Sequence, residues 1–255
     1  MKISIITPTY NSAAYIKDTL DSIHQQTYRN FEHVVIDGLS TDNTLEIVKN
    51  YDIKKVISEK DSGQSNAINK GFGLIDGDIF AWQNGDDLYT PDAFQIVTDY
   101  FTANPEVDIV YGYYQMIDEQ GDWLCDVQPI EWNSWLFIHG RFCPVQPTVF
   151  WRRRVSEAVG LLDESLYFCM DVDFYAKALK QGFTYGRIPQ FLGKFRVHQE
   201  SKTQNKSNRQ KHYNEYKKVL STHFAFSTLD SLIFDLFQQR ARITSVVKQK
   251  LSFRF

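Results

Sequence analysis

The sequence predicts an α/β protein: a mostly parallel sheet flanked by helices, followed by a helical C-terminal extension. Three observations carry that expectation. Short β-branched apolar runs alternate with segments of helical periodicity from residue 3 onward, a rhythm that calls for parallel strands joined by right-handed crossovers. One such run, Ile79 to Trp82, stops at a turn carrying Gly85 and two adjacent carboxylates, Asp86 and Asp87, before Pro91 opens a helix. Charge is also divided along the chain, with 15 Lys+Arg against 27 Asp+Glu in residues 1–193 and 13 against 4 in residues 194–255.

The elements follow in order. Ile3 to Thr7 is an apolar run ended by Pro8, too short for the core of a signal peptide and suited to a first strand. Thr9-Tyr10-Asn11-Ser12 then supplies turn and capping residues before a helix through Ile16, Leu20 and Ile23. Phe31 to Ile36 is a second strand stopped by Asp37-Gly38, and Ser40, Thr41 and Asp42 can cap the helix bearing Leu45, Ile47 and Val48. Lys55 to Ser58 makes a short third strand, followed after Asp61-Ser62-Gly63 by a helix with Ala67 and Ile68. Ile79 to Gln83 is the fourth, Pro91 to Asn104 a helix, and Val107 to Tyr113 another strand. Beyond it the pattern predicts a short helix over Trp132–His139, a strand over Val145–Trp151, a helix starting at Arg152-Arg153-Arg154 and one through Phe174 and Leu179 that stops before Gly182. A polar stretch to Asn208 and two further helices complete the chain, giving one α/β domain over 1–205 and a basic helical extension over 206–255.

Composition excludes several classes. Three cysteines, odd in number and far apart, fit neither a disulfide framework nor a zinc site and suit a reducing cytoplasm. No run approaches a membrane-spanning length, and the acidic main domain argues against nucleic acid as a partner. In the extension, Leu229, Leu232, Ile233, Leu236 and Phe237 recur at helical spacing, as do Ile243, Val246, Val247 and Leu251, while every charged residue after Asp235 is basic. Such a helix either lies on an anionic membrane at the inner face of the cell or packs on protein, as an intramolecular or homo-oligomeric contact.

Carboxylates gather at the ends of elements: Asp37, Asp61, Asp86 with Asp87, and Asp171 with Asp173. Ligands of open α/β sheets bind at the carboxyl ends of the strands, so these clusters are expected to share one cleft. A carboxylate can accept the imide N–H of uracil, and two hard oxygen donors suit Mg²⁺ or Mn²⁺ on a diphosphate. Taken singly, Asp37 also reads as a turn residue, Asp61 as an N-cap and Asp173 as a helix N-terminal charge. Trp132, Trp135 and Phe137 offer stacking faces for a sugar ring and otherwise read as core or interface.

Thr7-Pro8-Thr9-Tyr10-Asn11, Asp37-Gly38-Leu39-Ser40-Thr41-Asp42, Asp61-Ser62-Gly63 with Asn66 to Gly71, Gly77-Asp78 and Asn84-Gly85-Asp86-Asp87 resemble, in order and spacing, the family 2 glycosyltransferases of the GT-A fold. The resemblance runs from residue 3 to about residue 201. It implies an inverting, metal-dependent transferase that takes a nucleotide-sugar, most often UDP-linked, and glycosylates an acceptor such as a growing or lipid-linked glycan in surface-polysaccharide synthesis. By it, Thr7, Pro8, Tyr10 and Asn11 line the nucleotide pocket, Asp37 reads the base, Asp61 lies near the uridine, Asp86 meets ribose, sugar or metal, and Asp87 meets the metal, Mn²⁺ or Mg²⁺. Asn84 stands where many relatives have Asp. Met170-Asp171-Val172-Asp173 resembles a Glu-Asp-x-Asp segment whose first Asp is the general base, here Asp171, with Met170 in place of Glu. Arg196-Val197-His198 resembles an Arg-x-His segment at the diphosphate, with His198 as a metal ligand. Gln146-Pro147-Thr148 lies where the resemblance implies an acceptor contact. The alternatives are a nucleotidyltransferase, which lacks its glycine-rich, lysine-bearing loop here, and a non-catalytic scaffold, against which the intact Asp86, Asp87 and Asp171 argue.

Overall fold

The computed structural model describes residues 1–199, 202 and 208–238. Its nine strands are β1 (Ile3–Thr9), β2 (Phe31–Asp37), β3 (Lys55–Ser58), β4 (Ile79–Trp82), β5 (Leu88–Tyr89), β6 (Ile109–Ile117), β7 (Trp123–Val127), β8 (Phe150–Arg152) and β9 (Tyr185–Arg196). The helices are α1 (Ile16–His24), α2 (Thr44–Val48), α3 (Gln64–Phe72), α4 (Ala93–Ala103), α5 (Ser134–Ile138), α6 (Arg153–Val159), α7 (Met170–Lys180) and α8 (Arg209–Phe224). A last helical segment spans 228–238.

The strand order is β3-β2-β1-β4-β8-β6-β9-β5, with β7 on β6. The first four strands are parallel as expected: β1 pairs with β2 from Ile3↔Phe31 to Thr9↔Asp37 and with β4 from Ile3↔Ile79 to Ile6↔Trp82, and β2 pairs with β3. Because the chain crosses from β3 on one flank of β1 to β4 on the other, β1 and β4 form a switch point, and the loops after all four strands open at one edge. β1 is buried along its whole length, as its apolar run requires.

The expected sheet flanked by helices is present, and its second half is mixed: β6 and β9 are parallel. β8 runs antiparallel to both β4 and β6, β7 to β6, and β5 to β9. Strand β9 escaped prediction because Pro189, with Gly186, Arg187, Gly193 and Lys194, erases its alternation. In the structure Pro189 and Gln190 sit where the β6 register jumps from Gly112↔Ile188 to Tyr113↔Phe191, a bulge in which a residue with no N–H to give costs no ladder bond. The expected strand over Val145–Trp151 begins instead as a 3-10 turn, Gln146–Thr148, because Pro147 cannot donate to a ladder.

The core sets the position of α7. Trp82 and Trp151 meet edge to face at 5.3 Å, and Trp151 meets Phe174 of α7 at 5.0 Å. The indole of Trp151 donates to Ser156 Oγ at 2.6 Å, so this large side chain is buried with its polar atom satisfied. α8 adds Tyr216, Val219 and Leu220 to the same core, and the segment 228–238 adds Phe234. Phe234 packs on Gly140, where any Cβ would overlap its ring and where φ is +67°. The apolar stripe read from the sequence is thus turned outward in part: Leu229, Leu232 and Leu236 are 65%, 55% and 57% exposed. Ile243, Val246, Val247 and Leu251 lie outside the described residues.

Candidate active site

The loops after β1, β2, β3 and β4 meet at the open edge, clasped by backbone-directed hydrogen bonds. Asn11, at φ +48°, accepts from Thr41 N at 2.8 Å through Oδ1, and its own N–H donates to Ser40 Oγ at 2.8 Å. Asp61 lies over Gly38, where a Cβ would stand 2.6 Å from Asp61 Oδ2 and 3.4 Å from the Tyr10 ring, so only glycine permits this approach. Tyr10 is 62% exposed beside it.

Several expected ligand contacts are closed to the cleft. Thr7 and Asp37 are fully buried. Thr7 Oγ1 is 2.9 Å from His33 Nε2, and the Asp37 carboxylate accepts from Ser40 Oγ, from Ser40 N at 3.0 Å and from Ser58 Oγ at 2.7 Å. Asp37 therefore organises the loop that follows it rather than facing a base. Pro8 is buried as well. Of the pocket residues named from the sequence, Tyr10, Asn11 and Asp61 line open space.

The turn after β4 separates its two aspartates. Asp86 is half-exposed and its Oδ2 lies 2.9 Å from His198 Nε2, with the His198 ring against Tyr15 at 4.6 Å. Asp87 is 1% exposed; its Oδ1 accepts from Arg196 N at 2.9 Å and its Oδ2 from Asn84 Nδ2 at 3.2 Å. Burial, and then the charge of Asp86, push its carboxyl well above the usual range. The metal contact expected of Asp87 is corrected on this geometry, since both its oxygens face inward. Arg196 is corrected likewise: its guanidinium donates through Nε to Asp86 O at 2.9 Å, through Nη1 to Glu119 O at 3.0 Å and through Nη2 to Asp18 Oδ2 at 2.8 Å, over the Tyr15 ring at 5.1 Å. It is a strut that fixes the turn from β9. Among the described residues no three His, Cys, Asp or Glu side chains converge as a preformed metal site. Asp86 and His198 do converge, a hard oxygen beside an imidazole nitrogen, and fit Mn²⁺ or Mg²⁺ whose other positions a diphosphate would fill.

Asp171 stands in the first turn of α7, where burial foremost pushes its carboxyl up to about 6. Its Oδ1 accepts from Val172 N at 2.8 Å. Asp173 instead turns to structure, with Oδ1 2.7 Å from His223 Nε2 of α8 and Oδ2 2.7 Å from Lys177 Nζ. Trp132 is stacked on Tyr185 at 3.7 Å against the edge of the core, and Gln146 Nε2 donates to the carbonyl of Trp82.

Sequence reasoning missed four participants. Lys202 Nζ donates to Gln64 Oε1 at 2.9 Å, and Gln64 Nε2 donates to Asn84 Oδ1 at 2.7 Å, a chain that links the α3 N-terminus to the aspartate turn. The Lys202 ammonium sits over the Tyr167 ring at 4.5 Å, and burial lowers its pKa while Glu215, Asp171 and Asp86 raise it. It thus feels both the Asp86 turn and Asp171. Glu164 ties Asn66 and Asn69 of α3, each at 3.0 Å, to the loop before α7. Glu215 is the fourth. Its one signal in the sequence is a carboxylate isolated in a basic stretch.

Comparison with known proteins bears on the family and the fold. The model of the family "Glycosyl transferase family 2" matches residues 4–146. An uncharacterized glycosyltransferase of Rickettsia typhi is 32% identical over 225 residues, 83% of this chain and 69% of the relative. The crystal structure of S. aureus TarS 1-349 in complex with UDP-GlcNAc superposes with a TM-score of 0.73 at 20% identity, over 94% of this chain and 72% of that one. The mannosyltransferase PcManGT from Pyrobaculum calidifontis, in complex with GDP-Man and Mn2+, gives 0.64 at 16% identity, over 96% of this chain and 75% of that one. At such identities the two structures speak for the fold alone.

Proposed function

The chain belongs to glycosyl transferase family 2, and from that premise we propose that it moves a sugar from a UDP-linked donor to an acceptor hydroxyl with inversion at the anomeric carbon. The observation that supports the reading is the convergence of Asp86 with His198 beside Lys202, which feels the charge of both Asp86 and Asp171, a carboxyl whose pKa is raised toward neutrality. Tyr10 stacks on the base and Asp61 accepts its imide N–H. Asp86 and His198 would hold Mn²⁺ or Mg²⁺, which when bound would neutralise charge at the diphosphate. Asp171 takes the acceptor's proton as the oxygen forms its bond to the anomeric carbon; the bond from that carbon to the diphosphate oxygen breaks, and its electron pair leaves with UDP. Donors bound by the neighbours support the substrate class: UDP-GlcNAc in TarS, GDP-Man with Mn2+ in PcManGT. A panel of UDP- and GDP-sugars with Mn²⁺ should show UDP release from a UDP donor; release from GDP donors alone would overturn the choice of nucleotide.

The acceptor we assign is a glycan on a lipid carrier, with the protein held peripherally at the cytoplasmic membrane face. No helix of the described residues is long and apolar enough to cross a membrane. The exposed Leu229, Leu232 and Leu236 stripe, followed by Arg240, Arg242, Lys248, Lys250 and Arg254, supports surface contact, each basic residue adding roughly 1 kcal/mol near anionic lipid. Truncation before 228 would remove Phe234 from the core, so the test uses Leu229→Gln, Leu232→Gln and Leu236→Gln together. The full chain should co-sediment with anionic liposomes and the triple variant should not. A variant that instead changes from dimer to monomer, with no liposome binding by either protein, would assign the stripe to self-association.

A further inference from the structure

The carboxylate of Glu215, on α8, receives three successive backbone N–H groups from the loop that leads into α7. Oε2 accepts from Tyr167 at 3.2 Å, and Oε1 from Phe168 at 2.6 Å and Cys169 at 2.8 Å. Cys169 is the N-cap of α7, so Glu215 holds the orphan donors that precede the turn bearing Asp171. Met170, between them, is 7% exposed and apolar and supplies no charge.

We propose that Glu215 is a positioning residue for Asp171: it clamps the entry to α7 and sets, by its fixed negative charge, the pH at which Asp171 can accept a proton. The inference rests on the reading of Asp171 as the base. α8 is itself held for this task, by Tyr216, Val219 and Leu220 in the core and by the bond from His223 to Asp173. The extension read from the sequence as a separate basic element thereby completes the catalytic unit. The groups facing Asp171 are Glu215 and Tyr216 from α8, Lys202 after β9, Cys143 before the 3-10 turn, and Cys169 and Tyr175 on its own element. Of these Glu215 raises the Asp171 carboxyl and Lys202 lowers it, so the two charges act on it with opposite sign.

The test is the pH dependence of kcat/KM for the full chain with the UDP-sugar that supports turnover. The wild type should lose activity on its acid limb near pH 6. E215Q should move that limb down by roughly half a unit or more and lower kcat on the order of tenfold, as the clamp loosens. E215D keeps the acceptors but withdraws the charge by one methylene, so it should fold and shift the limb the same way by less. K202M should shift it upward. An acid limb unmoved in E215Q and E215D, whether or not kcat falls, makes Glu215 merely structural and overturns the proposal. D171N is the control: retained turnover there would remove the base itself, and the inference with it, whereas lost turnover with an unmoved limb in the Glu215 variants rejects only the positioning role.

Discussion

Asp171→Asn is expected to lower turnover on the order of a hundredfold or more while leaving donor binding intact, and to make the protein more stable at neutral pH. The first effect follows because Asn keeps the shape of the carboxyl and cannot take the acceptor's proton. The second follows from linkage. Burial raises the folded-state pKa of Asp171 from 3.8 to about 6, so the native state holds this proton more tightly than the unfolded chain. The folded state is therefore favoured by the group below the unfolded value and loses that advantage as pH rises through about 6. At pH 7 the wild type bears an ionised carboxylate in a site that disfavours it, and Asn does not. Thermal midpoints of wild type and D171N should thus diverge in favour of the variant between pH 4 and 7, and stay parallel above it. A variant that keeps near-normal turnover, or one that is less stable at pH 7 than at pH 4 relative to wild type, contradicts the assignment. Asp173→Asn separates the neighbouring carboxylates: its bonds to His223 and Lys177 make its loss a matter of stability.

The other large effect concerns the aspartate turn. Asp86→Ala should abolish the metal-dependent part of UDP affinity, a loss on the order of a hundredfold, because it removes the carboxylate that faces His198. Asp87→Asn should retain that part, since the side chain is buried between Arg196 N and Asn84 and its substitution weakens the turn without touching open space. Calorimetry of UDP binding with Mn²⁺ and with EDTA reads both. If EDTA leaves wild-type affinity unchanged the metal pair is wrong, and if Asp87→Asn loses the metal effect while Asp86→Ala keeps it, the two aspartates have been exchanged.

Much of this molecule was legible residue by residue. The parallel half, β1 to β4, is written in local terms: β-branched runs, capping residues and glycines at turns act over a few positions, and β1, β2 and β4 are buried almost throughout, so their apolar character is unmistakable, whereas β3 is largely exposed. The loops at its carboxyl edge follow from connectivity, which puts Asp61 and Asp86 after parallel strands, while Asp171 stands in the first turn of α7. β9 was not legible, because a strand bulged at Pro189 derives its order from β6 and not from its own pattern. The orientation of the carboxylates was equally hidden. Asp37 and Asp87 look in sequence like Asp61 and Asp86, and only the partners that fold back on them, Ser40 and Ser58 for one, Arg196 and Asn84 for the other, turn them inward. Sequence by itself determined the fold class, the family and the sheet edge at which the strand-end carboxylates gather, because periodicity and short motifs are local. Tertiary structure alone decided which carboxylates face the cleft and that α8 brings Glu215 to the entry of α7, because a side chain's solvation and charge environment are set by residues far away along the chain.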